Sequence, residues 1–164
     1  MRGTPEHPRS GCMGVRSAQL ESTRPILRNL RQRTAPAHVR PDWKWAGVYR
    51  TTEKNIGIPH YQIRDALPAL LGDVRYWVEH QTCEPDELAV RFHYRLVWIH
   101  PFANGNGRHA RLMADVVVQR LGRPAFTWGN ADIVKAGDFR RSYIDSLRAA
   151  DKNDIQPLVA FARS

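Results

Sequence analysis

The sequence lacks long apolar runs and contains little cysteine. Its longest apolar stretches are a few residues, such as Val116–Val118, far short of the roughly 20 that a membrane-spanning helix needs. The two cysteines, Cys12 and Cys83, have the spacing of neither a disulfide framework nor a metal site. No stretch near the N-terminus combines a basic start with an apolar segment, so no secretory signal is expected. Together these absences predict a cytoplasmic chain with free thiols and no membrane partner.

Positive charge is concentrated at the start of the chain. The net charge is +9, and residues 1–42 carry eight arginines against the acids Glu6, Glu21 and Asp42. This segment has no aromatic residue with which to stack bases, so a nucleic-acid partner is not favoured. We therefore interpret residues 1–42 as a basic, flexible arm and residues 43–164 as one domain.

Apolar periodicity predicts a mostly α-helical bundle with one small β-hairpin. One helix should begin at Pro85 and stop at Pro101, and a short one is expected within Leu20–Arg33. The same spacing predicts four further helices: Arg64–His80, Asn106–Leu121, Asp138–Ala149 and Ile155–Phe161. Two short extended arms predict the hairpin, and Pro59 confines the second arm to an edge: Val48–Thr52 and Ile56–Ile63.

The most informative stretch is the polar segment from His100 to Arg111, between two helical patterns. Gly105 and Gly107 let the backbone approach a ligand closely, and successive N–H groups can form an anion-binding concavity at a helix start. Arg108 and Arg111 lie three residues apart, on one side of that helix. Because two cations oppose the dipole at a helix N-terminus, the pattern indicates a polyphosphate ligand.

His100 is the candidate reactive group beside this loop. With an ordinary pKa of roughly 6.5, a neutral imidazole can take a proton from an attacking hydroxyl near neutral pH. A histidine at a helix C-terminus can also be purely structural, because its cation is favourable there. The adjacent glycine-rich loop favours the catalytic interpretation. Phe102 is interpreted as a core residue that fixes the loop.

The string from His100 to Arg111 resembles the signature of Fic/Doc proteins: His-Pro-Phe, any residue, an acid, Gly-Asn-Gly-Arg, two residues, Arg. Eight of its nine defined positions are matched in order and without gaps. The likeness extends over Trp43–Ser164, about three quarters of the chain. It implies a Fic-like helical bundle with a β-hairpin flap over the site. It also implies transfer of AMP from ATP to a Ser, Thr or Tyr hydroxyl of another protein.

The resemblance assigns roles to the matched residues. His100 would be the general base, and Tyr143 a contact for adenine, with simple packing as the equal alternative. The flap would align an as yet unknown target protein by strand addition, through Asn55, Ile56 and Gly57. The phosphates would be bound by residues of the loop and the helix start, with Asn106 on the α-phosphate: Gly105, Asn106, Gly107, Arg108 and Arg111.

Asn104 departs from the family pattern. It stands where the family has Asp or Glu to hold Mg²⁺, and a neutral amide oxygen is a weaker ligand for that ion than a carboxylate. We expect magnesium to bind through the nucleotide's phosphates and the Asn104 carbonyl at lower affinity, or the transferase activity to be weak.

Two alternative functions and one form of control remain open. Asn104 motivates a weakened nucleotide-binding module of toxin–antitoxin type, with an antitoxin or regulatory partner. A Doc-like protein phosphotransferase is disfavoured by Gly107, because such relatives have Ala-Asn-Lys in place of Gly-Asn-Gly. Many proteins of the resembled family carry an inhibitory helix whose glutamate pairs with the second arginine of the signature; Glu21 is a candidate for that glutamate and would pair with Arg111.

Overall fold

The structure, a computed structural model, describes residues 47–129 and 136–164. The helix expected within Leu20–Arg33, the domain start near Trp43 and the candidate regulator Glu21 lie outside these residues. Within them the chain forms five α-helices, labelled α1 to α5 in order: Ile63–His80, Pro85–Ile99, Asn106–Arg120, Ala136–Asp151 and Gln156–Arg163. A 3-10 helix over His60–Gln62 leads directly into α1. The prediction of a mostly helical bundle is confirmed.

The helix ends follow from local chemistry. Pro85 occupies the first turn of α2, where its missing N–H costs nothing, and Asp86 and Glu87 complement the positive end of the dipole. After α3, Gly122 takes a positive φ of 81°. That conformation suits glycine and ends the helix.

Helix α2 is the centre of the bundle. It packs against α1, α3 and α5, while α4 packs on α5. An apolar stripe along α2 is buried, with exposed fractions of 1–3%: Leu88, Phe92, Leu96 and Ile99. None of the helices in the described parts of the chain is both long and apolar enough to cross a membrane.

A bidentate ion pair ties the end of the chain to the start of α2. Arg163 Nε lies 2.7 Å from Asp86 Oδ2, and Arg163 Nη2 lies 2.5 Å from Asp86 Oδ1. Arg163 Nη1 also donates to the carbonyl of Pro124 at 2.9 Å, and its guanidinium lies over the Phe126 ring. These contacts fix the loop after α3, which carries the aromatic residues packed behind the site.

The predicted β-hairpin is not confirmed. Within the described residues, the segment from Val48 to Pro59 has no paired strands, and His60–Gln62 is helical rather than extended. Tyr49 instead forms an isolated antiparallel bridge with Phe102, and the Arg50 N–H donates to the carbonyl of Pro101 at 2.9 Å. The segment therefore pairs with a loop some fifty residues away, which local periodicity could not reveal. We call residues 50–59 the flap segment.

Candidate active site

His100 lies at the turn that ends α2. It has a left-handed backbone conformation, with φ of 52° and ψ of 59°, and its N–H donates to the Leu96 carbonyl at 3.2 Å. Pro101 follows and prevents the helix from continuing. A left-handed conformation is uncommon for a residue with a Cβ, and such strain is concentrated at functional sites.

The surroundings of His100 keep its imidazole neutral. Partial burial lowers the pKa of His100 below its ordinary value of 6.5, because desolvation disfavours the charged ring. The positive charges of Arg50 and Lys54 lower this pKa further, against an opposing hydrogen bond to the Val97 backbone. A neutral ring at neutral pH is the state that a general base needs.

The glycine loop opens directly into α3. Gly105 is the N-cap residue with φ of 77°, and the first turn of α3 contains no acidic residue. Asn104 is exposed, and its Oδ1 accepts the Gly105 N–H at 2.7 Å. The loop therefore presents the positive end of a helix to solvent with no carboxylate in that turn to neutralise it, as an anion site requires.

Asn106 braces this loop from the inside. Its side chain is buried, and both of its polar atoms bond to the backbone of Phe102: Oδ1 accepts the N–H and Nδ2 donates to the carbonyl, each at 2.8 Å. The Phe102 ring is 4% exposed and meets the His109 ring edge-on at 4.9 Å. Asn106 and Phe102 together fix the path of the chain between His100 and α3.

Residues from α3 and α4 meet beside the loop. A Cβ added at Gly107 would lie 3.9 Å from the Tyr143 hydroxyl, so the two residues are neighbours. The Arg111 guanidinium lies 5.9 Å from the centre of the Tyr143 ring. Arg111 is half-buried, whereas Arg108 is exposed. The structure thus brings Tyr143 of α4 beside Gly107 and Arg111 of α3, although it lies more than thirty residues away in the sequence.

A buried histidine stands behind Tyr143. His93 is fully buried on α2, its Nε2 lies 3.1 Å from the Tyr143 hydroxyl, and its ring packs on Trp128 at 4.6 Å. Burial lowers the pKa of His93 to about 3, so its ring is neutral. No local sequence pattern indicates this contact, because His93 sits among core residues of α2 and its partner lies fifty residues away.

The flap segment contacts His100 through Gly57. Asn55 and Ile56 are exposed, whereas Ile58 is buried. Gly57 has φ of 93°, and a Cβ placed on it would lie 2.5 Å from the Cβ of His100. Gly57, one of the three residues assigned to the flap, therefore lies next to the candidate base, although the segment is not a hairpin.

Replacing Gly57 with alanine should destabilise this contact. The positive φ and the collision with His100 are expected to lower the free energy of unfolding of Gly57→Ala by about 1–3 kcal/mol, measured by urea denaturation. The matched control is Gly72→Ala on α1, where nothing lies within 4 Å of an added Cβ. That helical substitution should raise stability by about 0.5–1 kcal/mol. Equal stability of the two variants would contradict the close packing of Gly57 on His100.

The site offers little to a metal ion by itself. The described residues contain no group of three or more His, Cys, Asp or Glu side chains that could hold one. In the loop, the Asn104 amide oxygen is neutral and already accepts the Gly105 N–H. A divalent cation does not fit this donor set unless an anionic ligand supplies the remaining oxygens.

The sequence that forms this site matches a known protein family. A model of the Fic/DOC family matches residues 22–118, which include His100, the glycine loop and most of α3. The chain belongs to the Fic/DOC family. The match begins inside the segment interpreted as an arm, and the domain boundary near Trp43 stays a prediction.

Named relatives agree with this assignment. Protein adenylyltransferase fic-1 of Caenorhabditis elegans is 32% identical over 124 residues, covering 71% of this chain and 22% of that protein. A solved part of C. elegans Fic-1 matches with a TM-score of 0.53 and 32% identity, covering 73% of this chain and 34% of that one. A Fic domain containing signaling protein from Bacteroides thetaiotaomicron shares the fold, with a TM-score of 0.64, 22% identity and coverage of 87% and 63%. This chain spans about a fifth of the length of the curated relative.

Proposed function

We propose that this chain transfers AMP from ATP to a Ser, Thr or Tyr hydroxyl of a protein. The observation that carries the proposal is the half-buried His100, with its lowered pKa, five residues before the glycine that opens α3. The matched family and the adenylyltransferase relatives support the same activity.

In this reaction His100 accepts the proton of the target hydroxyl. The hydroxyl oxygen forms a bond to the α-phosphorus of ATP, the bond between that phosphorus and the bridging oxygen breaks, and pyrophosphate leaves. Positioning and electrostatic stabilisation should supply most of the rate, because the loop offers oriented N–H groups and no covalent intermediate is needed.

The phosphates are assigned to the loop and the start of α3. Gly105, Asn106 and Gly107 would line the phosphate site, with Asn106 on the α-phosphate, while the Asn106 side chain braces the loop from the inside. Arg108 and Arg111 would hold the outer phosphates, and Tyr143 would contact adenine beside Arg111. The flap segment would receive the target protein at Asn55, Ile56 and Gly57.

We also propose a cellular location and a nearer relative within the family. The need for ATP and the free Cys83 suit the cytoplasm. A closer likeness to the Fic protein called mobile mystery protein B rests on Trp43–Gly47, Arg50–Gly57 and Phe126–Gly129. An antitoxin or regulatory partner remains an alternative.

Labelled ATP tests the proposal. Protein acceptors incubated with the chain should gain label from ATP marked at the α-phosphate and none from ATP marked at the γ-phosphate, and His100→Ala should lose this transfer. Transfer of the γ-label would instead identify a phosphotransferase. Binding of ATP without transfer of either label would favour the weakened module that Asn104 motivates.

Asn104 provides a test of the magnesium requirement. Asn104→Asp should lower the half-saturating magnesium concentration on the order of tenfold, because it adds a negative charge where the loop has a neutral amide. The measurement is a magnesium titration of AMP transfer at fixed ATP. Asn104→Ala is the control, since it removes the bond to Gly105 without adding a charge. An unchanged magnesium dependence in Asn104→Asp would show that this position does not reach the metal.

A further inference from the structure

We propose that Arg50 is a positioning residue that fastens the turn carrying His100 to the flap segment. The inference rests on the proposed role of His100 as general base and adds a residue that none of the assigned roles includes. Arg50 touches no part of the phosphate loop in this assignment. It acts on His100 through hydrogen bonds to the backbone carbonyls of His100 and Pro101.

The contacts of Arg50 join three pieces of chain. Its Nε donates to the carbonyl of His100 at 2.8 Å, Nη1 donates to the carbonyl of Thr52 at 3.0 Å, and Nη2 donates to the carbonyl of Ile58. Its own N–H donates to the Pro101 carbonyl at 2.9 Å. Two of these bonds hold the end of α2, and two hold the arms of the flap segment around Gly57.

Arg50 offsets a specific cost at His100. The left-handed conformation of His100 persists only if its surroundings hold it, since a non-glycine residue there is strained. A planar guanidinium can bond several carbonyls at once in fixed directions, and a cation is favourable at a helix C-terminus. Lysine would keep the charge but not the fork of donors.

The burial of Arg50 also gives it electrostatic influence. The residue is 5% exposed, and its ion-pair partner Glu53 lies 3.7 Å away with a side chain that is 60% exposed. Such a water-facing carboxylate compensates a buried cation only in part. The remaining positive charge lowers the pKa of His100, together with Lys54, and keeps the ring neutral.

A purely structural role for Arg50 predicts fewer effects of its replacement than a positioning role does. If Arg50 only tied the flap segment down, its loss would reduce stability without altering the titration of His100. A positioning residue predicts two further changes: the His100 pKa rises when the charge is removed, and the turnover number falls while the KM for ATP is kept. These readouts do not depend on stability.

The experiment compares Arg50→Gln and Arg50→Lys with the wild-type chain by NMR titration of the His100 imidazole, assigned from the signal missing in His100→Ala. Arg50→Gln should raise the His100 pKa and reduce kcat for AMP transfer on the order of 100-fold. Arg50→Lys should keep the pKa lowered and restore only part of kcat. Arg75→Gln, an exposed site on α1, is the matched control and should change neither.

Each result for the two Arg50 variants either supports or overturns the positioning role. A folded Arg50→Gln with wild-type His100 titration, or with wild-type kcat, would overturn the proposal. If Arg50→Gln does not fold, Arg50→Lys decides by whether it keeps the lowered pKa while losing part of kcat. Because the titration needs no turnover, it tests the influence of Arg50 on His100 even if the wild-type chain transfers no AMP, a result that would overturn the proposed function instead.

Discussion

His100→Ala is expected to lower AMP transfer by about 10²–10⁴-fold, the usual contribution of a positioned general base. The loss arises because no other group at the turn is assigned to take the proton of the target hydroxyl. Binding of ATP should be retained, since the loop that would bind its phosphates begins beyond Pro101. The measurement is the rate of transfer from ATP labelled at the α-phosphate, with nucleotide affinity measured separately by calorimetry.

The control for this variant is His80→Ala, an exposed histidine at the end of α1 that stacks on Tyr76. This variant should transfer AMP at the wild-type rate, because His80 lies at a solvent-exposed helix end that is not followed by a glycine loop. A His100→Ala chain that transfers AMP as fast as His80→Ala would exclude His100 as the base. The activity should then be assigned to another residue.

The pH dependence of transfer follows from the lowered pKa of His100. The base acts when neutral, so the rate should rise with pH through a pKa below 6.5 and be level at neutral pH. At acidic pH the ring gains a proton and the rate falls. An acid limb centred above 6.5 would contradict the partial burial of His100 and the influence of Arg50 and Lys54.

Phe92→Ala should lower the free energy of unfolding by about 3–5 kcal/mol, the largest stability effect we expect. Phe92 is 1% exposed on α2, the helix that contacts α1, α3 and α5, so its loss leaves a cavity where several helices meet. The loss is a large fraction of the total stability of a typical domain, about 5–15 kcal/mol. Urea unfolding followed by circular dichroism measures it.

Arg91→Ala on the same helix is the matched control. Arg91 is exposed and pairs with the half-buried Glu87 at 2.7 Å, and an ion pair at the protein surface is worth less than about 1 kcal/mol. A loss for Phe92→Ala as small as that of the control would mean that α2 is not the packing centre of the bundle.

The residues behind these two effects, Phe92 and His100, belong to the same helix and its C-terminal turn. Phe92 lies in the apolar stripe that anchors α2, and His100 lies at the point where α2 ends. Because a well-packed helix is rigid, its terminus is a precise mount for a reactive side chain. The partial burial of His100 at this end also sets its protonation state, so packing and chemistry are linked through one element.

Local sequence was sufficient for most of the helices. The boundaries of α1 and α2 agree with prediction to within about a residue, because apolar spacing, Pro85 and Pro101 act within a few residues of the positions that they control. The glycine loop was recognisable for the same reason. Gly105 and Asn106 open α3 where the sequence indicated, and Phe102 is the buried anchor that was expected.

The flap segment was predicted less well. A short alternation around Glu53-Lys54-Asn55 indicated a hairpin, yet the partner of Tyr49 is Phe102 and not a neighbouring arm. Hydrogen bonding of an extended segment is decided by whichever backbone lies alongside it. That backbone belongs to the turn after His100, and no periodic pattern records such a pairing.

Within the described residues, the sequence by itself determined the helices, the candidate anion-binding loop and the candidate base, because each depends on residues within a few positions of one another. Only the tertiary structure revealed that Arg50 reaches the His100 carbonyl, that Gly57 packs against His100, and that His93 stands behind Tyr143. Each of these contacts joins residues more than forty positions apart. Their proximity is set by how the helices pack, and packing is a property of the whole chain.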